Sequence, residues 1–279
     1  MAHQAIPKPE RPPTQQQSKW RSRYGWPLGR ELTLLLGGLV AYRMVRVLVK
    51  DELDVAYRNS QRVIDIERTL GIFNEVDLQS NILTSDASIW FLNRYYFYAH
   101  FLGTFIWVVW MYVRHYEHYG RVRRVLFGTT FAALAIHVAF PLAPPRWFPQ
   151  MGFVDTLQTY GPKIYDTDAI SETANQIAAM PSLHVGWALI GAWAVIKAGT
   201  NRWRWIAAIH PAIMTAAVVL TANHWWLDAI MATALVATVW AADAPIQRWL
   251  ERRKGDPDPE PAIDVDLTTE DLDEHVLVG

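Results

Sequence analysis

The sequence predicts an all-α protein, an integral membrane bundle of six transmembrane helices. Three observations lead there. The chain of 279 residues is 51% hydrophobic and carries 14 tryptophans, high for a water-soluble domain. Its apolar residues gather in six runs, 31–49, 88–113, 125–142, 181–199, 205–221 and 225–242, each close to the length a helix needs to cross the hydrocarbon core. Lys and Arg collect in every second connection, as the positive-inside rule requires.

Composition also excludes several classes. The net charge of −1 gives no global field toward nucleic acid. The chain has no cysteine, which removes disulfides, thiolate metal sites and cysteine nucleophiles and leaves the redox compartment open. The first 30 residues lack the short apolar core of a cleavable signal peptide, so the first apolar run is expected to stay as an anchor.

Residues 1–30, rich in Pro, Gln, Lys and Arg, read as a disordered basic arm. Residues 31–49 form the first span. Arg43 and Arg46 lie on one helical face near its far end, where they either snorkel to the interface or face a polar cavity and help hold an anion. Residues 50–87 read as an amphipathic surface helix ending at Gly71 and then a loop along the membrane face. The second span, 88–113, has aromatic residues at both ends and Asn93, Arg94 and His100 within it. A basic loop, 114–124, leads to the third span, which Pro141, Pro144 and Pro145 end. Residues 143–180 form a polar loop with Arg146, Asp155 and Lys163. Three spans follow, joined by short connectors carrying Arg202 and Arg204 and then His224. The membrane domain thus covers 31–242. The remainder, 243–279, is a basic patch and then an acidic tail whose last 25 residues hold nine acids and no Lys or Arg. The Arg248–Lys254 patch is expected to meet anionic headgroups.

With six spans, the basic segments all fall on one side, the cytoplasmic one, with both termini. The 50–87, 143–180 and 222–224 segments fall on the opposite, extracytoplasmic side. That puts Arg146, His184 and His224 together on a face of the cell membrane.

Those residues suit phosphoryl chemistry. His224 and Asp228, four apart, share a helical face, so the carboxylate can fix the tautomer and free the other ring nitrogen as a nucleophile or base. In Met180-Pro-Ser-Leu-His184, Pro181 suits the first turn of a helix. The N–H groups near Ser182 and Leu183 would then point at an anion, with His184 beside it as a general acid. Arg146, after a rigid Pro-Pro, can grip a phosphate bidentately. His184, His224 and Asp228 are also nominally three zinc ligands. Trp225 and Trp226 read as interfacial belt residues, and His100 and His137 as satisfied core histidines.

The three stretches resemble the signature motifs of the type 2 phosphatidic acid phosphatase superfamily. Ala143-Pro-Pro-Arg146 looks like the Arg-Pro motif, Pro181-Ser-Leu-His184 like the Pro-Ser-Gly-His motif, and His224-Trp-Trp-Leu-Asp228 like the His-x-x-x-Asp motif, in the right order over roughly residues 60–242. The resemblance implies a metal-free, cofactor-free mechanism. In it His224 attacks phosphorus to form a phosphohistidine, and Asp228 orients His224. His184 protonates the leaving oxygen and then activates the incoming water or alcohol, while Arg146 and Ser182 hold the phosphoryl oxygens.

The chain departs from the phosphatase pattern at Ala139 and Val218, where the family has cations, at Trp147, where it has Pro, and at Leu183, where it has Gly. The Pro-Ser-Leu-His form is shared with inositol phosphorylceramide synthases and sphingomyelin synthases, and Glu67-Arg-Thr-Leu-Gly-Ile-Phe73 and Leu92-Asn93 with His100 also look like that branch. The resemblance therefore implies transfer of a phosphorylated head group between lipids, as an inositolphosphotransferase does. Arg43, Arg46 or Arg94 is expected to replace a missing cation. The alternatives are a lipid phosphate or prenyl diphosphate phosphatase using water, and a non-catalytic lipid-binding or transport protein. The expected partners are a lipid phosphoester and the membrane lipids, with no nucleic acid.

Overall fold

The computed structural model describes residues 29–38, 40–44, 47, 52–161 and 177–255. The basic arm before residue 29, Arg46, Lys163 and the acidic tail after residue 255 lie outside the described residues. Among the described residues the protein is all-helical apart from one isolated β-bridge, Leu142 to Ala178.

Helix α1 covers residues 29–38 and 40–44. Near its start Glu31 accepts a hydrogen bond from the Tyr119 hydroxyl at 2.9 Å and pairs with Arg123. Helix α2, Leu53–Leu70, buries Ala56, Ser60, Val63, Ile64 and Glu67, a stripe at helical spacing. Gly71 closes it in the left-handed region, φ 70°. The segment expected to be a loop holds a second helix, α3, Glu75–Ile82.

Helix α4, Asp86–Arg114, is one continuous rod with a π-helical stretch at Tyr95–Gly103. Helix α5, Tyr116–Ala139, follows after His115 alone. The basic loop expected at 114–124 is therefore helix. Its arginines can lie on a helix because they have partners there. Asp243 takes Arg124 Nε at 2.7 Å and Nη2 at 3.2 Å, and Arg121 Nε at 3.2 Å. These charge-assisted bonds offset the cost of a carboxylate that is nearly buried.

Residues 143–161 carry two single 3-10 turns and the short helix α6, Thr156–Tyr160. Helix α7, Leu183–Ala198, packs against α4 and α5 and against the two helices after it, α8 at Arg202–Leu220 and α9 at Trp226–Gly255. Its buried face is built from small residues, Gly186, Ala188, Gly191, Ala192 and Ala194, which let neighbouring backbones come close where lipid supplies no hydrophobic drive. Helix α9 runs through the boundary expected at 242 and includes the Arg248 segment.

Among the described residues four helices, α4, α5, α8 and α9, are long and apolar enough to cross a membrane by length and composition. Helix α7 is apolar but has 16 residues, short of a full span. Glu31, Arg121, Arg123, Arg124 and Asp243 share one end of the bundle. The three motifs meet elsewhere, under a cap made by α2, α3 and residues 141–161.

That cap has its own core. Trp225, expected at an interface, is fully buried at its centre. Its ring stacks on Phe73 and meets Phe148 and Phe153 edge-on, and its Nε1 donates to the Ala143 carbonyl at 3.0 Å. Satisfying that N–H is what allows the indole to be buried. Trp226 is half-buried and donates from Nε1 to Asn74 at 2.8 Å.

Candidate active site

Three connections bring the motifs together. The Leu142–Ala178 bridge lays the chain before Pro181 against the chain before Arg146 (Leu142 N to Ile177 O, 2.8 Å; Ala179 N to Leu142 O, 3.3 Å). Helix α2 clamps the same loop. Asn59 Nδ2 donates to the Pro141 carbonyl and Ser60 Oγ to the Ala143 carbonyl, both at 2.9 Å. The end of α8 then turns sharply. The N–H groups of Asn223 and His224 both reach back to the Val218 carbonyl, and Arg146 N donates to the Ala222 carbonyl at 2.9 Å.

His224 is nearly buried, and its orientation is fully specified. Its Nδ1 lies 2.8 Å from the Ala179 carbonyl and 3.1 Å from Asp228 Oδ2. A carbonyl oxygen can only accept, so Nδ1 carries the proton and Nε2 presents a lone pair. Asp228 Oδ2 also accepts the Trp225 N–H at 2.9 Å. One fully buried carboxylate oxygen therefore fixes both the imidazole and the first turn of α9.

Ser182 is the N-cap of α7, its Oγ accepting the Val185 N–H at 3.4 Å. Pro181, joined to Met180 by a cis peptide bond, lies before this cap and not in the first turn as expected. The Ser182 N–H is also committed, to the Asp228 carbonyl at 3.2 Å. The N–H groups that can face an anion at this terminus are those of Leu183 and His184, which have no partner inside the helix.

His184 is held by stacking. Its ring centre is 4.3 Å from Tyr96, 4.0 Å from His100 and 5.6 Å from His224. Arg146 is 7% exposed. Its Nη1 donates to Asn223 Oδ1 at 2.8 Å, its Nε lies 3.4 Å from Asp155 Oδ2, and its charge acts on His184.

The structure thus gathers Arg146, Ser182, His184, His224 and Asp228. It places Arg94 elsewhere, with its guanidinium 4.1 Å over the exposed Trp90 ring, and leaves Arg43 exposed on α1. Among the described residues no set of three His, Asp or Glu side chains is arranged to hold a metal ion.

Four contributors have roles here that the sequence did not assign to them. Asn223 and Asp155 fix Arg146, and Asn93 fixes the segment that carries Asp155 by donating to the Thr156 and Gly161 carbonyls, both at 2.9 Å. Tyr96 packs on His184. The signal for Asn93 and Tyr96 was their spacing, three and four apart from Tyr96 to His100 along α4, which sets them on one face. Asp155 carried no such signal.

Fold and site together define a helical protein with membrane-length apolar helices and a buried histidine–aspartate pair facing a second histidine and an arginine. The chain matches the family model of the PAP2 superfamily over residues 61–242 and belongs to that superfamily. Its members are membrane-associated phosphatases and phosphotransferases, so this protein is of the lipid phosphatase or phosphotransferase type. Comparison with curated proteins and with solved structures returned no match.

Proposed function

We propose that this protein cleaves a lipid phosphoester through a phosphohistidine on His224 and transfers the phosphorylated head group to an acceptor lipid. The observation that carries this is the His224 tautomer. With Nδ1–H committed to Ala179 and Asp228, the Nε2 lone pair of this ring is free to attack phosphorus. His184 protonates the leaving oxygen and then takes the proton of the incoming hydroxyl. Arg146, the Ser182 hydroxyl and the N-terminus of α7 stabilise charge on the phosphoryl oxygens.

The charge balance supports a diester over a monoester. The family's two further cations are Ala139 and Val218 here, Val218 is fully buried, and part of the Arg146 charge is offset by Asp155. A phosphodiester brings one negative charge, a monoester nearly two. In this reading the chain crosses the membrane six times, with both termini cytoplasmic and the site on the extracytoplasmic face. The basic residues on α5 and near residues 202–204 and 248–254 support that orientation.

The test is product analysis. Detergent-purified protein is given labelled phosphatidic acid, a prenyl diphosphate and phosphatidylinositol, together with an acceptor lipid bearing a free hydroxyl and with EDTA present, beside His224→Ala. A new lipid carrying phosphoinositol, with diacylglycerol left behind and no product from the variant, is the expected result. Free phosphate from the monoester or the diphosphate makes the acceptor water and the enzyme a phosphatase. Absence of any His224-dependent product overturns the catalytic reading.

A further inference from the structure

Two acids outside the motifs meet the helix that carries Asp228. Glu67, near the end of α2, and Glu75, at the start of α3, are both fully buried. Glu67 Oε1 accepts the Leu227 N–H at 2.7 Å across 160 residues. Glu75 Oε1 accepts the Trp226 N–H at 3.3 Å across 151 residues, and its Oε2 accepts the Asn74 N–H at 2.9 Å. These are orphan donors of the first turn of α9, and they begin two residues after His224.

The donors assign the proton. Glu75 has a backbone donor on each oxygen, so both of its oxygens act as acceptors. Glu67 has a donor on Oε1 and none on its buried Oε2, and Glu75 is its electrostatic neighbour. A buried carboxylate oxygen with no donor, close to a second acid, is costly, so Glu67 Oε2 is the atom that carries the proton. Burial, together with the neighbouring Glu75 on α3 and Asp228 on α9, pushes the Glu67 carboxyl up to about 9. A single negative charge is thereby left to meet the positive end of the α9 dipole.

We infer that Glu67 and Glu75 form a one-proton clasp that positions the His224–Asp228 pair by fixing the first turn of α9. They touch no substrate and act through Trp226, Leu227 and the Asp228 backbone, so they are positioning residues. The inference rests on His224 being the nucleophile.

The donor pattern makes two isosteric variants unequal. In Glu67→Gln the amide oxygen still accepts Leu227 and the amide N–H replaces the carboxyl proton. In Glu75→Gln an amide N–H must face a backbone N–H, so one bond is lost and two donors are opposed. Full-length protein in detergent micelles, labelled with [15N]histidine, reports the His224 tautomer. Turnover of labelled phosphatidylinositol and phosphatidic acid reports the consequence. E67Q is expected to keep the Nδ1–H signature and turnover within about threefold of the unaltered protein. E75Q is expected to mix the tautomers and lower kcat roughly 100-fold with little change in KM, the loss typical of a misplaced catalytic group.

Equal damage in both variants, or an unaltered His224 spectrum in E75Q, overturns the inference. If E75Q does not fold, infrared spectra decide. A protonated-carboxyl band at neutral pH that is present in the unaltered protein and lost in E67Q sustains the clasp, and its absence from the unaltered protein overturns it. If the unaltered protein turns over neither lipid, the functional reading fails while the spectra still judge the clasp.

Discussion

Arg146 Nε lies 3.4 Å from Asp155 Oδ2, so the site's arginine is held by an acid that offsets part of its charge. Asp155 also caps α6 by accepting the Gln158 N–H at 3.0 Å, a task asparagine performs as well. Asp155→Asn should therefore keep the fold and raise the positive potential at the site. The expected outcome is a severalfold fall in KM for phosphatidic acid relative to phosphatidylinositol. Steady-state kinetics on both lipids checks it, and an unchanged ratio would mean that Asp155 does not tune substrate charge.

Asp228 Oδ2 serves two donors, and under the proposed mechanism its negative charge steadies the cation that a phosphorylated His224 becomes. Asp228→Asn removes that charge: an amide oxygen in the place of Oδ2 keeps both bonds, whereas an amide N–H there opposes the Trp225 N–H and the His224 Nδ1–H. A loss of kcat of roughly 10²- to 10⁴-fold is expected, in line with the same change in serine protease triads. Circular dichroism should show an intact helical protein, and near-normal turnover in D228N would remove Asp228 from the mechanism.

Gly191 on α7 faces the Trp107 indole of α4. A Cβ there would sit 2.7 Å from Nε1 and 3.0 Å from Cε2. The ring is large and nearly buried, so it cannot simply swing aside. Gly191→Ala should destabilise the protein by about 1–3 kcal/mol, the usual cost of overpacking, read as a lower midpoint in thermal unfolding. Gly103, with open space around it, is the control: Gly103→Ala should leave the midpoint unchanged or raise it.

Glu67 gives the fold a pH dependence of known sign. Its native pKa, about 9, lies above the ordinary value of 4.5. The unfolded chain therefore gives up this proton first, and the contribution of Glu67 to stability is complete below about 4.5 and lost as pH rises toward about 9. Glu67→Gln cannot titrate. The difference in unfolding midpoint between E67Q and the unaltered protein should therefore move in favour of E67Q steadily from pH 5 to pH 9. A difference independent of pH would place the proton elsewhere.

Much of this site was legible because its chemistry is local. His224 and Asp228 are close in sequence and do meet, although His224 lies in the bend before α9 and not on a shared helical face as expected, and Ser182 and His184 sit at a helix start that the sequence marks. The partners were less legible because they are distant. Asp243 meets Arg124 across 119 residues, so the arginines of α5 looked like a loop. Trp225 looked interfacial because the rings that enclose it come from residues 73, 148 and 153. Glu67 did leave a trace. It continues the Ala56, Ser60, Val63, Ile64 stripe, and a carboxyl at a core position of an amphipathic helix asks for a partner. Span counting from composition ran ahead of the fold, since α7 is apolar without being long enough to meet the span criterion.

The bond from Leu227 to Glu67 also sets a timetable for biosynthesis. A ribosome releases the chain from the N-terminus, and the α2–α3 cap emerges long before residues 224–228 exist. Until residues 223–255 are made, the Glu67 and Glu75 acids have no helix end to meet, Arg146 lacks Asn223, and the nucleophile proposed above is absent. Under the proposed mechanism activity therefore awaits α9, and a chain truncated before it cannot act on the lipids around it.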